Sequence, residues 1–170
     1  MKRLLFIIDS LTCGGAEKSL VSLLPLLDRS KYEVNLWIRH KGGVFESLLT
    51  ADTHLVDAPR YSFAEKLLLK SGGFAYSLML RVNRLLGKHI HFSELLWKCQ
   101  GWAMKVPEGN WDVVVAYQQG IPTYLVATKM SGCKRLAWIN ANIFNAGYNP
   151  TFNAKMYERM DGMCSVSEEL

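Results

Sequence analysis

Cysteine is scarce in this sequence, and the four present (Cys13, Cys99, Cys133 and Cys164) are scattered with no C-x-x-C pair. That spacing argues against a disulfide framework or a zinc site and favours a reducing compartment. Long apolar runs are also lacking. Leu4–Ile8 follows Lys2-Arg3 at the N-terminus, but Asp9 closes it. It is too short for a signal peptide, and far from the about 20 apolar residues of a spanning helix. Neither G-x-G-x-x-G nor G-x-x-x-x-G-K-[ST] occurs, which disfavours a dinucleotide dehydrogenase and a P-loop NTPase. The histidines (His40, His54, His89 and His91) fall into no ligand or triad spacing, and His89-x-His91 reads as a solvated basic turn. No metal is expected. Internal repeats and low-complexity segments are missing as well.

What is present is a 170-residue chain, 49% apolar and 21% charged, the make-up of one globular domain with a core. Leu4–Ile8 is apolar at every position, as a parallel strand covered on both faces must be. Ala16, Leu20, Leu23, Leu24 and Leu27 then form a helical stripe, with Pro25 expected to kink or shorten its last turn. Residues 33–38 read as the next strand, completing a βαβ unit. Further along, 45–49 suggests a short helix and 54–57 a short strand. Residues 63–86 read as helix interrupted at Ser71-Gly72-Gly73, and 92–105 as another helix. Residues 111–117, 134–139 and 162–166 read as strands, 122–130 and 152–160 as helices, with Ser167 capping a new helix that begins Glu168-Glu169. This alternation predicts an α/β fold: a Rossmann-like, open, mostly parallel sheet with helices on both faces.

The net charge of +5 is unevenly placed. Between Arg60 and Lys105 eight basic residues face two acidic ones, Glu65 and Glu94, while the rest of the chain is close to neutral. Basic charge interleaved with Leu, Phe, Tyr and Met suits either a solvated helical face or an anionic membrane surface, with Arg81, Arg84 and Lys88 as the surface candidates. No nucleic-acid-binding motif accompanies the charge, and nucleic acid is not an expected partner.

The sharpest local feature is Asp9 to Glu17, a loop ending in Gly14-Gly15 between the first strand and the first helix. Glycines there let backbone approach a ligand, and a helix N-terminus offers free N–H groups. Ser10, Thr12 and Cys13 lie beside them. Cys13 has no evident partner base and is a poor candidate nucleophile. The same loop also reads as an ordinary strand-to-helix turn, and Glu17 as a residue favoured by the helix dipole.

Leu4 to Leu49, with Gly14-Gly15-Ala16-Glu17 after the first strand and Tyr32-Glu33-Val34 at the second, resembles the start of family-4 retaining glycosyltransferases of the GT-B fold. Three later stretches resemble the same family in the same order. They are Trp111–Tyr117, Lys134–Asn140 (similar to the strand ending Trp-x-His) and Asp161–Glu168 (similar to the strand and Ser-Glu turn closing the N-terminal domain). The resemblance spans nearly the whole chain.

It implies the N-terminal, acceptor-side half of a GT-B enzyme, a single domain over residues 1–170. The donor nucleotide-sugar would sit mainly in a C-terminal domain carrying Glu-x7-Glu, and no two glutamates here have that spacing. The chain is therefore expected to be a fragment, inactive alone. The full-length enzyme would be a hexosyltransferase-type protein that transfers a sugar to a glycan or lipid-linked acceptor, with no cofactor beyond the donor substrate. The expected location is cytoplasmic, peripheral on the inner face of the membrane. The implied acceptor or phosphate loop is Thr12, Gly14, Gly15 and Glu17. Asn140, Asn142, Ser167 and Glu168 are cleft candidates, and no catalytic residue is assigned. Asn140 stands where the family has His; it can donate a hydrogen bond but cannot act as a base. A stand-alone flavodoxin-like binding or regulatory domain is the alternative.

Overall fold

The computed structural model describes residues 1–87 and 90–167. Six parallel strands form one open sheet: β1 (Lys2–Ser10), β2 (Tyr32–His40), β3 (His54–Leu55), β4 (Val113–Ala116), β5 (Lys134–Ile139) and β6 (Gly162–Ser165). Their order is β3-β2-β1-β4-β5-β6. This is the doubly wound Rossmann-like order, not the 2-1-3-4-5 order of a flavodoxin-like sheet. β1 is central, pairing along its length with β2 and, at Leu4–Ile7, with β4. The all-apolar run Leu4–Ile8 at its centre follows from that position, since both of its faces are covered there.

Among the described residues five α-helices join the strands: α1 (Gly15–Leu23), α2 (Phe63–Leu85), α3 (Phe92–Gln100), α4 (Ile121–Lys129) and α5 (Pro150–Tyr157). One sheet face buries Leu5, Ile7, Val114 and Ala116 beneath Tyr124 and Leu125 of α4 and Met156 of α5. Trp97 of α3 and Leu69 of α2 pack at the margin of this cluster. The other face buries Leu4, Phe6, Ile8 and Val115 against Leu20 and Val21 of α1. Helices thus lie on both faces, as the alternation predicts.

The structure corrects several boundaries. α2 does not break at Ser71-Gly72-Gly73 but runs unbroken for 23 residues. Gly72 is buried against α3, where a Cβ would lie 2.7 Å from the Cys99 carbonyl oxygen and 2.8 Å from Gln100 Cγ. Close helix approach, not helix termination, explains the glycine. α3 stops at Gln100, with Gly101 as its C-cap, instead of reaching Lys105. Pro25 ends α1 as expected, and Leu24–Leu26 continues as one 3₁₀ turn. The expected helix at 45–49 is likewise 3₁₀, over Val44–Leu48. β4 is shorter than the apolar run that announces it, although the Tyr117 N–H still bonds the Ile7 carbonyl at 2.9 Å. The helix read at Glu168-Glu169, the surface candidate Lys88 and His89 lie outside the described residues.

Candidate functional site

The strand order reverses between β1 and β4, and ligands of open α/β sheets bind at such a switch point, beyond the carboxyl ends of the strands. A cleft of about 660 Å³ lies there. β1 contributes Asp9, the start of α1 contributes Gly15, Glu17 and Ser19, and the segment after β4 contributes Gln118 and Gln119. Asn140 and Ala141 follow β5, and His91 and Ser93 come from the start of α3. Tyr148 lines the cleft from the loop before α5.

The α1 turn is the open edge of this cleft. No side chain caps the helix, whose N-cap is Gly14. Gly14 is extended, with φ 174°, and Gly15 opens the helix, so neither residue needs glycine for its backbone conformation. Their roles differ instead. A Cβ on Gly14 would fall 2.3 Å from Glu17 Oε2, so Gly14 makes room for that carboxylate. A Cβ on Gly15 would meet no heavy atom within 4 Å. Glycine at position 15 is therefore dispensable for packing and leaves the first helical turn accessible from the cleft.

Glu17 is only 8% exposed, and among the described residues its carboxylate has no hydrogen-bond or ion-pair partner. Asp9 is different: the Arg39 guanidinium holds its carboxylate, and its N–H donates to Gln118 Oε1 at 3.2 Å. Thr12 does not line the cleft; its hydroxyl pairs with that of Ser10 at 3.2 Å in the exposed part of the loop. Below it Leu11 is fully buried, and its carbonyl accepts from the Phe45 N–H at 2.9 Å, which anchors the loop.

The opposite wall is fixed by an amide that sequence reasoning overlooked. Gln119 Oε1 accepts from the N–H groups of Asn140 (3.1 Å) and Ala141 (3.0 Å), while its Nε2 donates to the Ala141 carbonyl at 2.7 Å. Asn140 then donates its own Nδ2 to the Tyr117 carbonyl at 2.8 Å. That bond uses one of the two amide hydrogens, so the side chain keeps its second N–H as a donor and its carbonyl oxygen as an acceptor. Asn142 does not line the cleft. It caps the following turn, accepting from the Phe144 and Asn145 N–H groups at 3.0 and 3.2 Å. Ser167 is exposed and bonded to Ser165, and its neighbour Val166 is the residue that reaches the cleft. Arg81 and Arg84 are exposed on α2, away from this lining. Glu168 lies outside the described residues.

The third wall is a buried polar network. Glu94 Oε1 accepts from the Asn149 N–H at 2.6 Å and Asn153 Nδ2 at 2.8 Å, and the Tyr124 hydroxyl bonds Asn153 Oδ1 at 3.0 Å. These bonds lock α3, α4 and α5 together and hold Tyr148, whose ring stacks on His91 with centroids 3.7 Å apart. Burial pushes the Tyr148 phenol up to about 12, so it remains a hydrogen-bond donor at neutral pH. Burial also lowers His91 below the usual 6.5, which keeps it neutral, and its Nδ1 accepts the Ser93 N–H at 3.2 Å as the cap of α3. Gly120 closes the corner. Its φ is +84°, and a Cβ would meet Ser93 Oγ at 2.8 Å and the Tyr148 hydroxyl at 3.2 Å, so both conformation and space require glycine.

The lining therefore holds two carboxylates, three amides, hydroxyls and a neutral imidazole, and among the described residues no Lys or Arg. Such a surface suits a neutral, hydroxyl-rich ligand. Arg39 already balances Asp9, so a phosphate placed here would face the unpartnered Glu17 carboxylate with no basic side chain in the lining to offset it. The described residues hold no cluster of three potential metal ligands. No protein-family model, curated protein or solved structure matches the chain.

Proposed function

We propose that this chain is the acceptor-binding domain of a retaining glycosyltransferase, with the switch-point cleft taking a saccharide acceptor. The observation that carries the reading is the cleft's lining of carboxylates, amides and hydroxyls without a basic side chain. Sugar hydroxyls both donate and accept, and the wall offers both: Glu17 and the Asn140 carbonyl as acceptors, Tyr148 and the first N–H groups of α1 as donors. The motif resemblance supports the same reading and supplies the reaction class, transfer from a nucleotide-sugar held mainly by a second domain. With Asn140 where the family has His, that position offers hydrogen bonds and no base; the resemblance implies that the donor's leaving phosphate assists proton removal from the acceptor hydroxyl. Of the two ligands considered for the Gly14-Gly15 loop, acceptor or phosphate, the unpartnered Glu17 carboxylate favours the acceptor. Peripheral association with the inner face of a membrane fits a lipid-linked acceptor.

The test is transfer by the full reading frame, supplied with a panel of nucleotide-sugars and saccharide acceptors and read by mass spectrometry. Residues 1–170 alone should transfer nothing. Gly15→Val should lower product formed per folded molecule by roughly tenfold or more, a barrier change of ~1.4 kcal/mol. Its melting temperature should move by only about 1–2 °C, because the added side chain enters open space. Absence of product with every donor, or full turnover by Gly15→Val, would refute the reading.

A further inference from the structure

α2 presents a face to solvent that no part of the described chain covers. Phe63, Phe74 and Leu85 are 84%, 75% and 85% exposed, values unusual for side chains of this size. They are spaced eleven residues apart, and exposed Leu67 and Leu78 repeat the same interval. Eleven residues make three helical turns with a drift of only about 20°, so the five side chains form a nearly straight stripe along the axis. Lys66, Lys70, Arg81 and Arg84 follow one another at intervals of four, eleven and three, which places them together on one flank of that stripe. The helix has one acidic residue, Glu65, which is engaged by the Ser62 cap and by Lys105 Nζ at 2.7 Å. The opposite side is the attached one: Gly72 meets Cys99, and Leu69 reaches the core.

We infer that α2 docks on an anionic lipid bilayer, lying in the interface plane with the Phe and Leu stripe inserted and the basic flank on the headgroups. Charge selects this occupant. A row of four cations beside an apolar stripe, with the lone carboxylate already paired, matches a negatively charged surface of low curvature. A straight stripe suits a flat surface, whereas a seam with a strict seven-residue repeat would wind around a partner helix. The helix is about 34 Å long, yet no helix in the described residues is long and apolar enough to cross a membrane, so it lies on the surface. The C-terminal end of α2 also borders a groove lined by Leu80, Asn83, Arg84 and Ile90, which shares His91 and Ala146 with the cleft.

Binding to a bilayer requires neither donor nor acceptor, so this inference and the transfer reading can fail separately. The experiment is vesicle co-sedimentation of the chain with phosphatidylcholine alone and with about 30% phosphatidylglycerol added. Binding is expected only with the anionic lipid, and it should fall severalfold between about 0.1 and 1 M salt. The double variant Arg81→Glu, Arg84→Glu should weaken binding at least roughly tenfold. Phe74→Ser with Leu78→Ser should abolish it, with circular dichroism checking that each variant stays folded. Phe74→Trp should shift its emission to the blue on anionic vesicles and be quenched by brominated acyl chains. Equal sedimentation with both lipids, no sedimentation with either, or a self-associated chain that leaves vesicles untouched would overturn the inference.

Discussion

His91 caps α3 through Nδ1, an atom that can accept the Ser93 N–H only while it carries no proton. Burial lowers the imidazole below 6.5, so in acid the unfolded chain takes up this proton more readily than the folded one. The cap's contribution is thus fully present above 6.5 and is lost as pH falls through the folded-state value. An N-cap is worth about 1 kcal/mol. Asn caps equally well and does not titrate, so His91→Asn should flatten the acid side of the stability profile below about pH 6.5. Denaturant titrations of both proteins at several pH values measure this; parallel profiles would mean that the cap does not govern the slope. His91 also shows what a sequence conceals at this scale. Gly14, Gly15, Glu17 and Asn140 are legible because each stands at a fixed offset from a recognisable strand or helix. The structural role of Gln119 depends on backbone 21 and 22 positions away, and that of His91 on stacking with Tyr148. No local pattern encodes either pairing.

Among the elements, the interior strand β5 falls on the residues expected of it, 134–139, whereas the edge strand β3, expected over 54–57, shrinks to two residues because only Asn35 and Leu36 of β2 pair with it. α2 reverses an expectation outright: propensity reads Gly72-Gly73 as a break, but tertiary contact keeps the helix whole. The two glycines are not equivalent. At Gly72 a methyl group would press on backbone, so Gly72→Ala should cost about 1–3 kcal/mol and lower the melting temperature by several degrees. At Gly73 the nearest atom is Gln100 Nε2 at 3.0 Å, the movable end of a side chain. Gly73→Ala should therefore be neutral or stabilising by up to ~1 kcal/mol. Thermal melts of the pair decide it, and equal melting temperatures would contradict the close-approach account of Gly72.

Across the molecule, alternation of strand and helix was enough to foresee a parallel sheet, but not the order in which the strands lie, since each crossover permits a neighbour on either side. That order is what creates the cleft. The attachment of α2 has a consequence of a different kind. The helix leans chiefly on α3 and meets the sheet core through Leu69, while β1 is enclosed by strands on both sides and helices on both faces. Losing α2 leaves the sheet's ladders intact. The two regions should therefore exchange their amide hydrogens by different routes, α2 through a partial opening and β1 with β4 only through global unfolding. Peptide-level hydrogen exchange should show 63–85 exchanging at least roughly a hundredfold faster than 4–8 and 113–116, while uniform rates would make the chain one cooperative unit. A helix that opens on its own clock lets the chain leave a surface without disturbing the strand register, so residence time and cleft integrity answer to separate free energies.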